Sequence, residues 1–388
     1  MATIKKYTKK DGSIGYMTNL YLGVDQSTGK KKRTTLRANT QRELKLKIAR
    51  LELDIEENGI KEKPSNLTFK EVYDIWLPYY KATVKESTYA FTIGLFDTHI
   101  IPSMGNMRLN KLTILDCQKL INNWFKVIPN RYKRVKNNAI RVIDYAVSLS
   151  IVNDNPMKKV ILPNAPQQII EKTPENFYDK EELKKFLEAA KNYNQQAYVF
   201  FRVLAFTGLR KGEAYALTWD DLDLNKCELT VNKTLARGLK GRLLIQAPKT
   251  KSGHRTISLD DKTILDLKQW KNLQKQNMLK LGINLNDKST RLIFGNLKNG
   301  LPQPNACTEW LEAIYKKTDL KKITPHGFRH THCSLLFEAS TPEQPITIKD
   351  VQERLGHSDI RTTMDIYTHV TEKAKNNLAS NFSKYMEI

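Results

Sequence analysis

The chain has 388 residues, with 64 lysines and arginines against 41 aspartates and glutamates, a formal charge of +23 at neutral pH. This length allows two or three domains, and 40% hydrophobic residues are enough for each to bury a core, which excludes a disordered polybasic tail. Such a charge on a folded protein points to a polyanion, and nucleic acid is favoured over an anionic membrane surface. No run of residues approaches the roughly 18 apolar positions of a membrane span, and Met1 to Lys10 lacks the apolar core of a signal peptide. Cys117, Cys227, Cys307 and Cys333 are isolated, with no C-x-x-C pair, and read as reduced thiols of a cytoplasmic protein.

The first 50 residues hold 13 lysines and arginines but only the acids Asp11, Asp25 and Glu43. Within them a short strand near Ile4 to Tyr7 precedes strands at Gly15 to Gly23 and Lys32 to Arg37 around a turn at Gly29. From Thr40 to Glu57 the period becomes helical, with Leu44, Ile48, Leu51 and Ile55 on one face. A three-stranded sheet with one covering helix can lay its basic side, including Lys30, Lys31, Lys32 and Arg33, in a DNA groove. Asn58-Gly59 and Pro64 then break the pattern, so residues 1–58 are expected to form one domain.

Residues 66–160 read as an all-helical domain of four or five helices. Thr68-Phe-Lys-Glu71 is a capping box, Val72, Ile75, Trp76 and Tyr79 form an apolar stripe, and Ser87 is placed to cap the next helix. The last long helix, near Arg131 to Ser150, has Tyr132, Val135, Ala139, Val142, Ile143 and Ala146 on one face. Arg131, Arg134, Asn138 and Arg141 lie on another, which suits a DNA groove. A proline-rich linker over 161–177 leads to a last domain, 178–388. There Asp179 caps a helix, Tyr198 to Phe206 reads as a buried helix, and a β meander runs through Glu228 to Thr234, Leu243 to Ala247 and Thr256 to Leu259. The remainder is helical. The fold class is thus multidomain α+β: a small sheet plus helix, a helical domain, and a mostly helical domain with a small meander.

The chemistry-bearing residues fall in that last domain. Thr207-Gly-Leu-Arg-Lys-Gly-Glu-Ala214 places Arg210 beside two glycines, where a planar guanidinium can meet a phosphate and the backbone can approach it. Pro248 to Arg255 is a basic hairpin turn with Lys249 and Lys251. Thr324-Pro-His-Gly-Phe-Arg-His-Thr-His332, Leu355-Gly-His357 and Thr363-Met-Asp-Ile-Tyr-Thr-His369 follow. Two arginines, a lysine, two histidines and a tyrosine form a complete set for metal-free phosphoryl transfer.

In this order, over Asn176 to Tyr385, these motifs resemble the tyrosine recombinase or phage integrase family: a T-G-L-R-x-x-E box, a lysine hairpin, an H-x-x-R box, an L-G-H box and a closing tyrosine. The first two domains resemble the arm-binding and core-binding domains of three-domain integrases from bacterial mobile elements. The resemblance implies a site-specific recombinase that integrates and excises such an element through a 3′-phosphotyrosyl link, needing no cofactor and no metal. It implies Arg210 and Arg329 as the phosphate clamp, Tyr367 as nucleophile, and Lys249 as donor to the departing 5′-oxygen. His326 would be general acid/base, His357 a phosphate ligand, and Glu213 an orienting partner. The hairpin register does not choose between Lys249 and Lys251; the family's K-T pair favours Lys249. Ala339 to Ile346 reads as an inserted surface loop, and ten residues separate His357 from Tyr367.

Ala374, Leu378, Phe382 and Tyr385 form an amphipathic tail, which in this family docks on a neighbouring protomer. The partners implied are double-stranded DNA with core-type and arm-type sites, a homotetramer on that DNA, and an excisionase or host DNA-bending protein, in the nucleoid of a bacterial cell. A non-catalytic architectural DNA-binding protein would explain the charge but not the ordered motifs. A metal nuclease built on His326, His330, His332 and Cys333 lacks an acidic cluster and would set its cation beside Arg329.

Overall fold

The structure, a computed structural model, describes residues 3–9, 11–24, 31–58, 66–164, 175–248, 250–283, 291–296, 300–341, 343–364, 383 and 386. The chain divides into two compact units, residues 1–84 with 92–164, and residues 85–91 with 165–388.

In the first unit, β1 (Ile4–Thr8), β2 (Ile14–Val24) and β3 (Lys31–Ala38) form an antiparallel sheet in that order. Strand alternation sends Leu20 and Ala38 inward with Leu44 of α1 (Gln41–Asn58), and all three are buried. The register Lys5–Met17–Arg37, Asn19–Thr35 and Tyr21–Arg33 puts Lys5, Arg33, Arg37 and the exposed Tyr21 on the other face. Gly29, Lys30 and the side chains of Lys32 and Ile55 lie outside the described residues.

Helices α2 (Phe69–Thr83), α3 (Glu86–Leu95), α4 (Ile101–Met104), α5 (Ile114–Val127) and α6 (Tyr132–Ser148) follow, with a π turn at Phe96–Ile100 joining α3 to α4. The Thr68–Glu71 capping box starts α2 as expected. Its stripe, however, is rotated: Val72 and Trp76 are buried with Phe69, Tyr73 and Tyr80, while Ile75 and Tyr79 are 48% and 62% exposed. Aromatic packing sets this rotation, since the Tyr73 ring lies 4.4 Å from that of Phe96 and Trp76 lies 4.4 Å from Tyr80. Ser87 is not the cap of α3, which begins one residue earlier; its hydroxyl bonds the Gln246 side chain.

The second unit contains α7 (Lys180–Tyr193), α8 (Gln195–Thr207), α9 (Lys211–Ala216), β4 (Leu222–Asp223), β5 (Glu228–Val231), β6 (Thr234–Arg237), β7 (Leu243–Gln246), β8 (Arg255–Ser258), α10 (Asp261–Lys280), α11 (Ala306–Tyr315), α12 (Gly327–Glu338) and α13 (Ile348–Leu355). The expected Asp179 cap is present, closed by Glu182. From Ala197 to Ala205 every side chain of α8 is buried, the signature of a helix apolar on all sides, and this helix is the axis of the core. Phe186, Phe201 and Phe328 pack edge and face around it. Arg202, nearly buried, ties it to α10 through Asp260 at 2.8 Å and Asp266 at 3.3 Å. The strands do not form a meander. The segment expected as one strand, Glu228 to Thr234, breaks where Asn232 and Lys233 both turn to Asp221; β5 pairs with β4 and β8, and β6–β7 is a separate hairpin. The described residues between Ala339 and Ile346 form a surface loop, as expected.

His332 of α12 holds this unit's centre. Its Nδ1 bonds the Ala205 carbonyl at 2.8 Å and its Nε2 accepts from Arg354 Nε at 3.1 Å. Arg354 itself also donates to the carbonyls of Phe206 and Ser258. Burial, reinforced by Arg354, pushes the His332 pKa down to about 3 from an ordinary 6.5. Between these values the unfolded chain binds a proton that the folded one does not, so this stability is complete above pH 6.5 and is lost on acidification. Thermal melts should therefore show destabilisation from pH 7 to pH 5, of which His332 contributes about 2 kcal/mol. A His332→Gln variant, less stable at pH 7, should show a correspondingly smaller drop; an unchanged drop would contradict this.

Candidate active site

The α8 helix ends at Gly208, whose φ of +65° is a left-handed C-cap. Here glycine is required twice over: a Cβ would also lie 2.3 Å from Leu355 Cδ2 and 2.8 Å from His332 Cδ2. The chain then turns into α9 with Arg210 at the N-cap. The Arg210 amide and its Nη1 bond the two oxygens of Glu213, at 3.1 and 2.7 Å. Glu213 is 3% exposed and Arg210 is 42% exposed, so the buried carboxylate holds the base of a guanidinium whose outer face is open. Burial raises the Glu213 pKa, but Arg255 and then Arg210 outweigh it, and the group is held below its ordinary value and ionised.

Arg329, in the first turn of α12, is 1% exposed. Its Nη1 donates to Gly208 O at 2.7 Å, its Nη2 to Leu355 O at 2.7 Å, and its Nε to His357 Nε2 at 3.3 Å. Three of five guanidinium protons are thereby used. Burial and the charge of Arg210 lower its pKa to about 9, which leaves it charged at neutral pH. Arg210 Nη2 reaches Gly356 O at 3.4 Å, so the two arginines sit on consecutive carbonyls where α13 ends.

His357 follows Gly356, which caps α13 at φ +68°. Its Nε2 accepts from Arg329, so Nδ1 carries the proton and donates to Thr363 Oγ1 at 2.9 Å. Burial, then Arg329 and Arg210, depress its pKa to about 3. Both ring nitrogens are thus engaged within the protein, whereas the sequence suggested a direct phosphate ligand. His326, at the N-cap of α12, keeps solvent-exposed surface, and its ring meets that of His330 edge-on at 4.7 Å. Partial burial, then His330, Arg329 and Arg210, lower its pKa to about 4, so it too is neutral at pH 7.

Arg210 with Glu213 and Arg329 with His357 therefore form two hydrogen-bonded pairs, brought together by the consecutive carbonyls of Leu355 and Gly356, with His326 close enough to feel both arginines. Lys249 and Tyr367 lie outside the described residues; Lys251 is exposed in a turn that joins β7 to β8, and since these strands lie in different sheets the expected hairpin at Pro248 to Arg255 is corrected to a connection between sheets. Thr363, fully buried, anchors the chain four residues before Tyr367. Sequence reasoning missed Arg255, whose side chain is 6% exposed and donates to Glu213 Oε2 at 2.9 Å. Its signal was its place at the end of the basic segment, but a solvated and a buried arginine look alike in sequence. Three arginine charges against one carboxylate, which pairs with Arg210 and Arg255, make this site attract an anion. His332, with both nitrogens engaged, is unavailable as a metal ligand, and the described residues contain no metal-binding group of three or more His, Cys, Asp or Glu.

On the helical unit, Arg131, Arg134 and Arg141 are exposed, but Asn138 is not on their surface. It is 5% exposed, donates to the Arg134 carbonyl at 3.0 Å and accepts from Arg141 at 3.3 Å. The expectation that it faces a groove is corrected: the helix turns its amide toward the core, and its oxygen steadies Arg141.

Among the described residues, no helix is long and apolar enough to cross a membrane. Residues 176–374 match the phage integrase family and residues 68–125 match the phage integrase N-terminal SAM-like domain. A tyrosine recombinase XerC-like protein of Caldanaerobacter subterraneus is 31% identical over 95% of both chains, and the ICEBs1 integrase of Bacillus subtilis is 28% identical over 94% of this chain and 95% of its own. Among solved structures, the Tn1549 transposon integrase in complex with transposon right end DNA shares the fold at a TM-score of 0.63 and 20% identity, covering 81% of this chain and all of that one. A lambda integrase tetramer bound to a Holliday junction shares it at 0.53 and 14% identity, over 93% and 94% of the two chains. The chain belongs to the phage integrase family and is a tyrosine recombinase, an enzyme of site-specific DNA recombination.

Proposed function

We propose that Arg210 and Arg329 clamp the scissile phosphate and that the chain uses this clamp to integrate and excise a mobile element. The observation that carries this reading is the pair of guanidiniums on consecutive carbonyls, backed by the buried Glu213. Preorganised donors of this kind stabilise charge that develops on the phosphoryl oxygens in the transition state. The Tyr367 oxygen attacks phosphorus, and its proton passes to His326, which is neutral and can accept it. As the phosphotyrosyl bond forms, the bond to the 5′-oxygen breaks, and Lys249 supplies the proton that makes a free 5′-hydroxyl. The reverse sequence joins a new strand, so the energy of the first bond is kept and no nucleotide is consumed. His357 acts through its bond to Arg329, and meets the phosphate only if Nε2 exchanges that partner for the substrate.

Residues 1–58 would bind arm-type sites through the Lys5, Arg33 and Arg37 face, 66–160 core-type sites through Arg131, Arg134 and Arg141, 161–177 would link them, and 178–388 would carry catalysis. Four protomers acting on two duplexes would each cut one strand. The lambda relative bound as a tetramer to a Holliday junction supports this number. The tail residues Ala374, Leu378, Phe382 and Tyr385, outside the described residues, would join neighbours, and an excisionase or DNA-bending protein would set direction. The work would take place in a bacterial nucleoid.

Two experiments test these assignments. On a nicked duplex carrying the cognate core site, the protein should form a covalent protein–DNA adduct that Tyr367→Phe abolishes and EDTA leaves unchanged; no adduct with the unaltered protein would remove the reading. Neutralising Lys30 to Arg33 should weaken arm-site binding and flatten its salt dependence by about 0.9 in log–log slope per lost phosphate contact. Core-site cleavage should persist, and equal loss of both would refute the division of labour.

A further inference from the structure

Arg255, the first residue of β8, is neither exposed, as a DNA-binding arginine would be, nor idle. It spends its donors on three groups. Nη2 bonds Glu213 Oε2 at 2.9 Å, Nε bonds the Arg354 carbonyl at 2.8 Å, and Nη1 bonds the Gly253 carbonyl at 3.3 Å. Three consecutive carbonyls at the end of α13 therefore each receive one arginine: Arg354 O takes Arg255, Leu355 O takes Arg329, and Gly356 O takes Arg210. The negative end of the helix dipole favours cations at this place. The seat is sterically closed as well, for a Cβ on Gly356 would lie 2.5 Å from Ser252 O and 3.1 Å from Arg255 Nη1.

We propose that Arg255 is a positioning residue for cleavage, acting through Glu213 to aim the Arg210 guanidinium at the phosphate. The physical reason is charge balance. A carboxylate that is 3% exposed must be neutralised by a partner held close to it. If Arg210 were its only cation, the pair would be neutral and Arg210 would be drawn toward Glu213. With Arg255 already paired to one oxygen, the other oxygen orients Arg210 while a net positive charge stays available to the substrate. Arg255 touches neither substrate nor reacting atoms in this scheme. A lysine at 255 would keep the charge but not the forked donors that hold Glu213, Arg354 and Gly253 together.

This proposal rests on the clamp assigned above, and its test keeps the two apart. If the unaltered full-length protein forms no Tyr367-dependent adduct, the clamp assignment fails. If it does, single-turnover cleavage of the nicked core-site duplex is compared in Arg255→Met and Arg255→Lys, with thermal melting and gel-shift affinity measured alongside. Arg255→Met should cleave about 100-fold more slowly, the scale of losing one preorganised donor, with affinity within about twofold, and Arg255→Lys should fall between. The loss should persist on a duplex with sulfur replacing the bridging 5′-oxygen, because a thiolate leaves without a proton donor. Adding Arg210→Lys to Arg255→Met should cost less than it costs alone, as expected of residues acting through one carboxylate. A normal rate in a folded Arg255 variant overturns the proposal. Full rescue by the sulfur substrate also overturns it, since Arg255 would then serve Lys249. If Arg255→Met does not fold, Arg255→Lys decides: a rate equal to the unaltered protein's overturns the proposal, and a sulfur-insensitive loss supports it.

Discussion

An arginine with 1% of its surface exposed must find acceptors for its guanidinium protons within the protein, because water cannot supply them, and the catalytic unit is arranged around meeting that requirement for Arg329. One carbonyl comes from the end of α8 and the next from the end of α13, so the arginine bridges two helix termini whose last carbonyls lack partners of their own. Both termini close with a left-handed glycine, Gly208 and Gly356. Neither tolerates a Cβ, since each abuts the groups that make up the site. The same constraint fixes His357, which has to present a lone pair to Arg329 and therefore carries its proton on the nitrogen facing Thr363.

Charge follows from that arrangement. Glu213 balances one arginine, and the histidines are kept neutral by burial and by the guanidiniums beside them. A surplus of positive charge in a shielded place is strongest where an anionic substrate group would sit, since little solvent screens it. Among the described residues, the basic side chains on the open face of the N-terminal sheet and the arginines along α6 are exposed, where salt screens them. In the proposed scheme, affinity and chemistry draw on different arginines for a dielectric reason.

Much of the fold was legible in the residues. The capping boxes at Thr68 and Asp179 appear where the pattern placed them, because a cap depends on groups three residues apart. The apolar run of α8 also announced its burial. Where expectation failed, the cause was side-chain packing or bonding that residue spacing alone does not show. Ile75 and Tyr79 lost their place in the stripe to Tyr73 and Tyr80, which pack on Phe96 and Trp76. The meander gave way to two sheets because Asp221 draws Asn232 and Lys233 together. Asn138 has the spacing of a surface residue, yet lies inside.

The ordered motifs, through their resemblance to the tyrosine recombinases, pointed to the class of chemistry. Residue types that bind and protonate a phosphodiester are few, and their order along the chain narrows the reaction further. Fold class and the helical character of most segments were likewise decided by local periods and caps. Only the tertiary structure could decide which arginines are buried, which nitrogen of His357 holds the proton, and that Arg255 shares Glu213 with Arg210. Burial and hydrogen-bond partnership are set here by segments well apart in the chain, 42 residues for Glu213 and Arg255 and 28 for Arg329 and His357, and no local pattern encodes those distances.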